Sequence, residues 1–309
     1  MIKPHPLKKG DPVALIAPSS PVSEDKIELS LQSIRFLGLE PIPFPSCFLK
    51  NGYLSGMDEA RAKDVNDAFL DPDIRGIFCL RGGYGATRIL PLLDYASIRR
   101  NPKFFAGYSD ITALHTVFNR LCEFITYHAP MPARGYESLD SFTLESLSVA
   151  VFCGPQPGKV ENPPGETLET ICSGIARGEI TGGNLSVMAA ALGSPYEIDT
   201  RGKILFIEEV DELPYRIDRN LTALKLAGKL QAAEGIILGT FSDIPEEDID
   251  PSDTLSLSEI FDQVIRPLGI PTVNNLRSGH IYPQIVIPMG MTAELNATEG
   301  TVAFIEQTI

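Results

Sequence analysis

Apolar residues in the first half of the chain fall into short unbroken runs, separated by stretches with helical spacing. The run at 12–17 shows no alternation, which predicts a buried strand. Behind it, Ser23 can cap a helix carrying Ile27, Leu31, Ile34 and Leu37 on one face, with Gly38 as its stop. The pattern then predicts a strand at 40–44, a polar-faced helix at 57–70 ending at Asp71-Pro72, and a strand at 74–80. A glycine-rich turn and a short helix follow. The next apolar run, Phe104-Phe105-Ala106, ends at Gly107; Ser109 comes two residues later, and Ile111, Leu114, Phe118 and Leu121 then share a helical face. This βαβα rhythm argues for a mostly parallel sheet with helices on both faces. Ligands in such sheets lie beyond the carboxyl ends of the strands. The Arg81-Gly82-Gly83 turn and Ser109 both fall at such ends.

Proline and glycine gather between 154 and 166 and read as a linker. Beyond it the predicted strands are 203–207, 235–239, 285–288, 292–296 and 301–305, and the predicted helices are 183–192, 215–228 and 256–265. The last three strands follow one another closely, which suggests antiparallel pairing. The expected organisation is an α/β domain at 1–153, a linker at 154–178 and a smaller mixed α+β domain at 179–309.

Composition narrows the function. A length of 309 residues allows two ordinary domains. The longest apolar runs are strand-length, far short of the roughly 20 residues that span a bilayer, and the N-terminus has no signal-peptide core. The expectation is a cytoplasmic protein without a membrane partner. Five scattered cysteines without a CxxC pair read as reduced thiols. A net charge of −14 repels phosphate backbones and argues against nucleic acid. Neither HExxH nor GxGxxG occurs, so no metal or dinucleotide cofactor is expected.

The tight bend at Ser109 can present its hydroxyl at the start of a helix, as in several hydrolases, or merely cap that helix. A serine nucleophile needs a base, and the base needs an orienting partner. Of the four histidines, His5 lies in a basic tail and His115 shares the buried face of its helix, which leaves His128 and His280. Spacing does not choose between them. Glu208 and Glu209 close the 203–207 run, pointing to opposite faces; for Glu209 we expect a solvated position or a pair with Arg216 or Arg219. The turn at Gly82-Gly83 offers N–H groups that can hold an oxyanion or cradle a phosphate. Asn184, after Thr181-Gly182-Gly183, can cap a helix or point an amide into a cleft.

Six segments in order, GYLSGMDEARAKDVNDAF, LRGGYGATRIL, FFAGYSDITALH, TGGNLSVMAAALGSPYEID, ILFIEEVDELPYRIDRNLTAL and SGHIYPQIVIPMG, resemble the LD-carboxypeptidase family of serine peptidases. The resemblance implies a flavodoxin-like first domain joined to a smaller C-terminal domain, and a homodimer. It implies Ser109 as nucleophile, Glu208 as triad acid and His280 as base, with the Gly83 and Asp110 N–H groups as oxyanion hole. The implied substrate is the cytoplasmic murein tetrapeptide of cell-wall recycling, which loses its terminal D-alanine. A free carboxylate must then be recognised; Arg81 is the nearest cation and Asn184 a further polar contact. The alternative within the family is an aminoacyl-nucleotide peptidase of the microcin C immunity type. Such enzymes stack the base on an aromatic loop residue, for which 139–171 is the available segment, but the chain has no tryptophan.

Overall fold

A computed structural model describes residues 1–245, 250 and 252–306. The chain divides into two compact units, one of Met1–Gln156 with Ile285–Gly290, the other of Pro157–Gln284 with Met291–Ile309.

The first unit is built on strands β1 (Pro12–Ile16), β2 (Glu40–Pro43), β3 (Gly76–Cys79), β4 (Phe104–Gly107) and β5 (Thr126–His128). They pair in parallel in the order β2-β1-β3-β4-β5. This is the flavodoxin-like order, whose ligand crevice opens where the order reverses, between β1 and β3. β3, β4 and β5 are buried at every position, which is why β3 and β4 read as apolar runs without alternation. The helix Asp58–Leu70 buries Phe69 among Phe105, Phe118 and Phe124, with ring centroids 6.0, 5.3 and 5.7 Å away.

The second unit holds β6 (Gly158–Val160), β7 (Glu169–Cys172), β8 (Ile175–Asn184), β9 (Lys203–Val210), β10 (Gly235–Ser242) and β11 (Thr272–Asn274). After β12 (Ile287–Met289), which lies elsewhere, come β13 (Thr292–Asn296) and β14 (Thr301–Phe304). The eight strands run in the order β6-β14-β13-β8-β9-β10-β11-β7, parallel from β8 to β11 and antiparallel outside. Its core packs the helix Pro214–Leu226, through Ile217, Leu221 and Leu224, with Leu205, Ile207, Ile236 and Leu238 of the central strands.

Three details differ from the sequence expectation. β12 does not join β13 and β14; it pairs antiparallel with β5 and closes the edge of the first sheet. Its three residues are all buried, the mark of a strand covered on both faces, whereas nearness in sequence alone had grouped it with its successors. The expected linker, 154–178, carries β6 and β7, which are edge strands of the second sheet. The helix expected from residue 183 begins at Leu185, because Gly183 and Asn184 still pair with Ile207 and Glu208. The last three residues of the expected C-terminal domain lie outside the described residues. Among the described residues no helix is long and apolar enough to cross a membrane.

Candidate active site

Ser109 follows β4 directly after Tyr108 and sits at φ 65°, the left-handed region that serine rarely adopts. The bend is possible because position 107 is glycine: a Cβ there would lie 2.9 Å from Ile111 Cγ1 and 3.1 Å from Cys79 Cβ. Gly82, in the turn after β3, approaches from the other side, and a Cβ on it would lie 2.8 Å from both Cβ and Oγ of Ser109. Strained backbone and close glycine approach together present the hydroxyl on the sheet's carboxyl edge, half-buried.

The backbone around Ser109 leaves two N–H groups without an acceptor among the described residues. Gly82 C=O accepts from Ser20 N–H at 3.3 Å. The C=O and N–H of a trans peptide point in opposite directions, so the Gly83 N–H faces away from Ser20. Among the described residues neither the Gly83 N–H nor the Asp110 N–H donates a hydrogen bond. One unengaged donor thus belongs to the residue after Ser109, and the other to the residue after Gly82, the glycine that approaches Ser109. The Asp110 side chain turns inward: its Oδ2 accepts from Ser19 Oγ at 2.6 Å and from Ala86 N–H at 2.8 Å. Burial raises its carboxyl above the ordinary range, and the two hydrogen bonds oppose that rise.

His280 and Glu208 belong to the second unit. Glu208, fully buried on β9, lies 2.8 Å from His280 Nδ1 through Oε2. A carboxylate accepting from Nδ1–H leaves Nε2 as the basic nitrogen. Gly279 allows this approach. At φ 132° it passes so close that a Cβ would lie 2.6 Å from Thr240 Oγ1 and 3.0 Å from Glu208 Oε2. Both the N–H and the hydroxyl of Thr240 donate to Ser278 C=O at 3.0 Å, fastening the loop to β10.

The other candidates divide. His115 is buried, with Nδ1 2.8 Å from Thr126 Oγ1 and Nε2 2.8 Å from Gly107 C=O, and burial lowers it to about 4. His128 is buried on β5, its ring edge-on to Tyr108 at 5.7 Å. Arg81 is exposed; it donates to Pro21 C=O at 3.4 Å and makes no ion pair among the described residues. Asn184 caps the helix Leu185–Ala190 through Val187 N–H and donates to Glu209 Oε1 at 2.7 Å. Glu209 is therefore neither solvated nor paired with an arginine. It is buried, bound also by the Ser186 N–H at 2.8 Å and the Ser186 hydroxyl, because β9 ends against the start of that helix. Arg216 pairs with Glu212 instead. Cys79, beneath the serine bend, has its thiol raised well above the ordinary range by burial, which removes it as a nucleophile.

Sequence reasoning passed over Arg61. It lies on the same helical face as Val65, Ala68 and Phe69, and that spacing among apolar positions was the available signal.

Comparison with known proteins gives the class. Residues 13–129 match the LD-carboxypeptidase N-terminal domain and residues 177–295 the LD-carboxypeptidase C-terminal domain. The chain belongs to the LD-carboxypeptidase family and is accordingly a peptidase, a hydrolase of the carboxypeptidase kind. It is 38% identical to a probable murein peptide carboxypeptidase of Bacillus subtilis over 97% of this chain and 93% of that one. Among solved structures it resembles an MccF-like protein of Bacillus anthracis, with TM-score 0.86, 28% identity and 99% of both chains covered. It also resembles a muramoyltetrapeptide carboxypeptidase of Oxalobacter formigenes, with TM-score 0.83, 26% identity and 96% of this chain and 100% of that one covered.

Proposed function

We propose that this chain is a cytoplasmic serine LD-carboxypeptidase that removes the terminal D-alanine from murein tetrapeptides in peptidoglycan recycling. The observation that carries the reading is Ser109, held at φ 65° against Gly82, with the N–H groups of the next residues, Gly83 and Asp110, unengaged. The names of the Bacillus subtilis and Oxalobacter formigenes relatives support the substrate class.

In this reading Ser109 Oγ attacks the carbonyl of the diamino acid while His280 Nε2 takes its proton. Glu208, bonded to Nδ1, holds the ring and stabilises its charged form. The Gly83 and Asp110 N–H groups bind the oxyanion, each worth about 3 kcal/mol of barrier. The C–N bond breaks as His280 returns the proton to the leaving D-alanine nitrogen. Water, deprotonated by His280, then cleaves the ester and regenerates Ser109. Arg81 would bind the free carboxylate that defines a carboxypeptidase substrate, and Asn184 would contribute a further polar contact. The working species would be a homodimer, which light scattering tests.

The test is mass spectrometry of purified protein incubated with L-Ala-γ-D-Glu-meso-diaminopimelate-D-Ala, with an aminoacyl-sulfamoyl adenosine in a parallel tube. D-Alanine release from the tetrapeptide supports the reading. Cleavage of the adenosine conjugate alone would replace it with the microcin C-type activity, which the likeness to the MccF-like protein supports and the absence of tryptophan opposes.

A further inference from the structure

Arg61 is among the largest fully buried side chains of the described residues and carries a charge. Taking a guanidinium out of water costs several kcal/mol, and with its Nε unbonded the two Nη groups carry the compensation. Its Nη1 donates to Gly85 C=O at 2.8 Å and also to Pro18 C=O, and its Nη2 pairs with Asp58. The approach is close: a Cβ on Gly85 would lie 2.8 Å from Nη1.

The Gly85–Ala86 peptide is thereby gripped at both ends. Its carbonyl points to the Arg61 cation, and its N–H, which faces the opposite way, donates to the Asp110 carboxylate at 2.8 Å. The peptide dipole lies between buried opposite charges in the favourable sense. The same carboxylate holds Ser19 at 2.6 Å, and the neighbouring Ser20 holds Gly82 C=O and, through Oγ at 3.1 Å, the Tyr84 N–H. The loops after β1, β3 and β4 are tied into one object with Asp110 at its centre. Asp110 offers one candidate oxyanion donor from its own backbone. Through its side chain it fastens the turn that offers the other.

We propose that Arg61 and the Asp110 carboxylate are positioning residues. By clamping the Gly85–Ala86 peptide from its two ends they hold the 82–86 turn, and with it the Gly83 N–H, in place against Ser109. The proposal rests on the serine-peptidase reading. It explains why a buried arginine and a buried aspartate lie beside a glycine turn that a plain strand-to-helix connection would leave to solvent.

The test compares Asp110→Ala, Asp110→Asn, Arg61→Met and the double variant Arg61→Met/Asp110→Ala. Two readouts are taken: kcat and KM on the tetrapeptide, and affinity for a peptide boronate whose tetrahedral adduct with a serine places an oxygen in the hole. Asp110→Ala is expected to lower kcat roughly 10²-fold with KM changed less than about twofold, and to weaken boronate binding in proportion. Asn keeps an acceptor where Oδ2 stands, so Asp110→Asn should recover most of the loss. The double variant should lose no more than the worse single one, since both act on one peptide. The proposal is overturned if Asp110→Ala binds the boronate as tightly as wild type, if Asp110→Asn is as damaged as Asp110→Ala, or if the two losses multiply. If Arg61→Met does not fold, the Asp110 pair still decides. A wild type that forms no boronate adduct at Ser109 would instead refute the serine-peptidase reading.

Discussion

Gly279→Ala is the sharpest perturbation the second unit offers. The new Cβ would stand 2.6 Å from Thr240 Oγ1 and 3.0 Å from Glu208 Oε2, where ordinary contact begins at 3.4 Å. Neither neighbour can retreat: Glu208 is fully buried, and Thr240 is bound to the loop by its N–H and its hydroxyl. The loop must therefore rise by roughly 0.4 to 0.8 Å, which stretches the 2.8 Å His280–Glu208 contact beyond the usual hydrogen-bond range. Alanine at φ 132° also adds backbone strain of about 1–3 kcal/mol. A displacement of this order at a catalytic base costs roughly 10²-fold in kcat, with little change in KM. Gly202→Ala is the matched control, because Gly202 also has positive φ, 70°, but nothing within 4 Å of its Cβ position. It should lose stability without losing turnover. The assay is steady-state D-alanine release, alongside thermal melting of both variants. Turnover by Gly279→Ala within threefold of wild type would refute the argument that this glycine sets the His280–Glu208 contact.

Two further outcomes follow from individual residues. His115 is lowered from 6.5 to about 4 by burial, so the unfolded chain binds a proton that the folded chain refuses between those values. Its stabilising contribution is fully present above pH 6.5 and is lost as the pH falls toward 4, about 3 kcal/mol in all. Chemical denaturation of His115→Asn at several pH values should show a shallower slope in that window, and an unchanged slope would contradict the burial argument. Arg81→Ala should raise KM for the tetrapeptide roughly tenfold or more while leaving the melting temperature unchanged, because Arg81 is exposed and makes no ion pair among the described residues. An amidated substrate should show no difference between Arg81→Ala and wild type; an equal loss on both substrates would remove the carboxylate role.

The parts of the fold legible in the sequence were those where burial leaves a one-dimensional trace. β1, β3 and β4 are covered on both faces and appear as unbroken apolar runs. β6 and β7, edge strands with mostly exposed or half-buried residues, leave no such trace and lie in the span 154–178 that the sequence suggests is a linker. β12 was visible as a strand but not as a partner of β5, since partner choice is a property of three dimensions. The bend at Ser109 was legible because glycine, serine and an apolar strand must adjoin to make it. The pairing of Glu208 with His280, 72 residues apart, was not readable from spacing and came from the family resemblance. Glu209 was misjudged because the end of a strand usually meets water, and here it meets the start of a helix with Asn184 and Ser186 as donors. Arg61 was overlooked because charge is ordinarily taken as a sign of the surface.

The central claim is that Ser109 is the nucleophile of a carboxypeptidase. Its most direct measurement is D-alanine release from the murein tetrapeptide by wild type and by Ser109→Ala, with binding of the uncleaved peptide followed in parallel. The account predicts that wild type cleaves, and that Ser109→Ala binds the peptide comparably and leaves it intact. Equal turnover by the two proteins would contradict it.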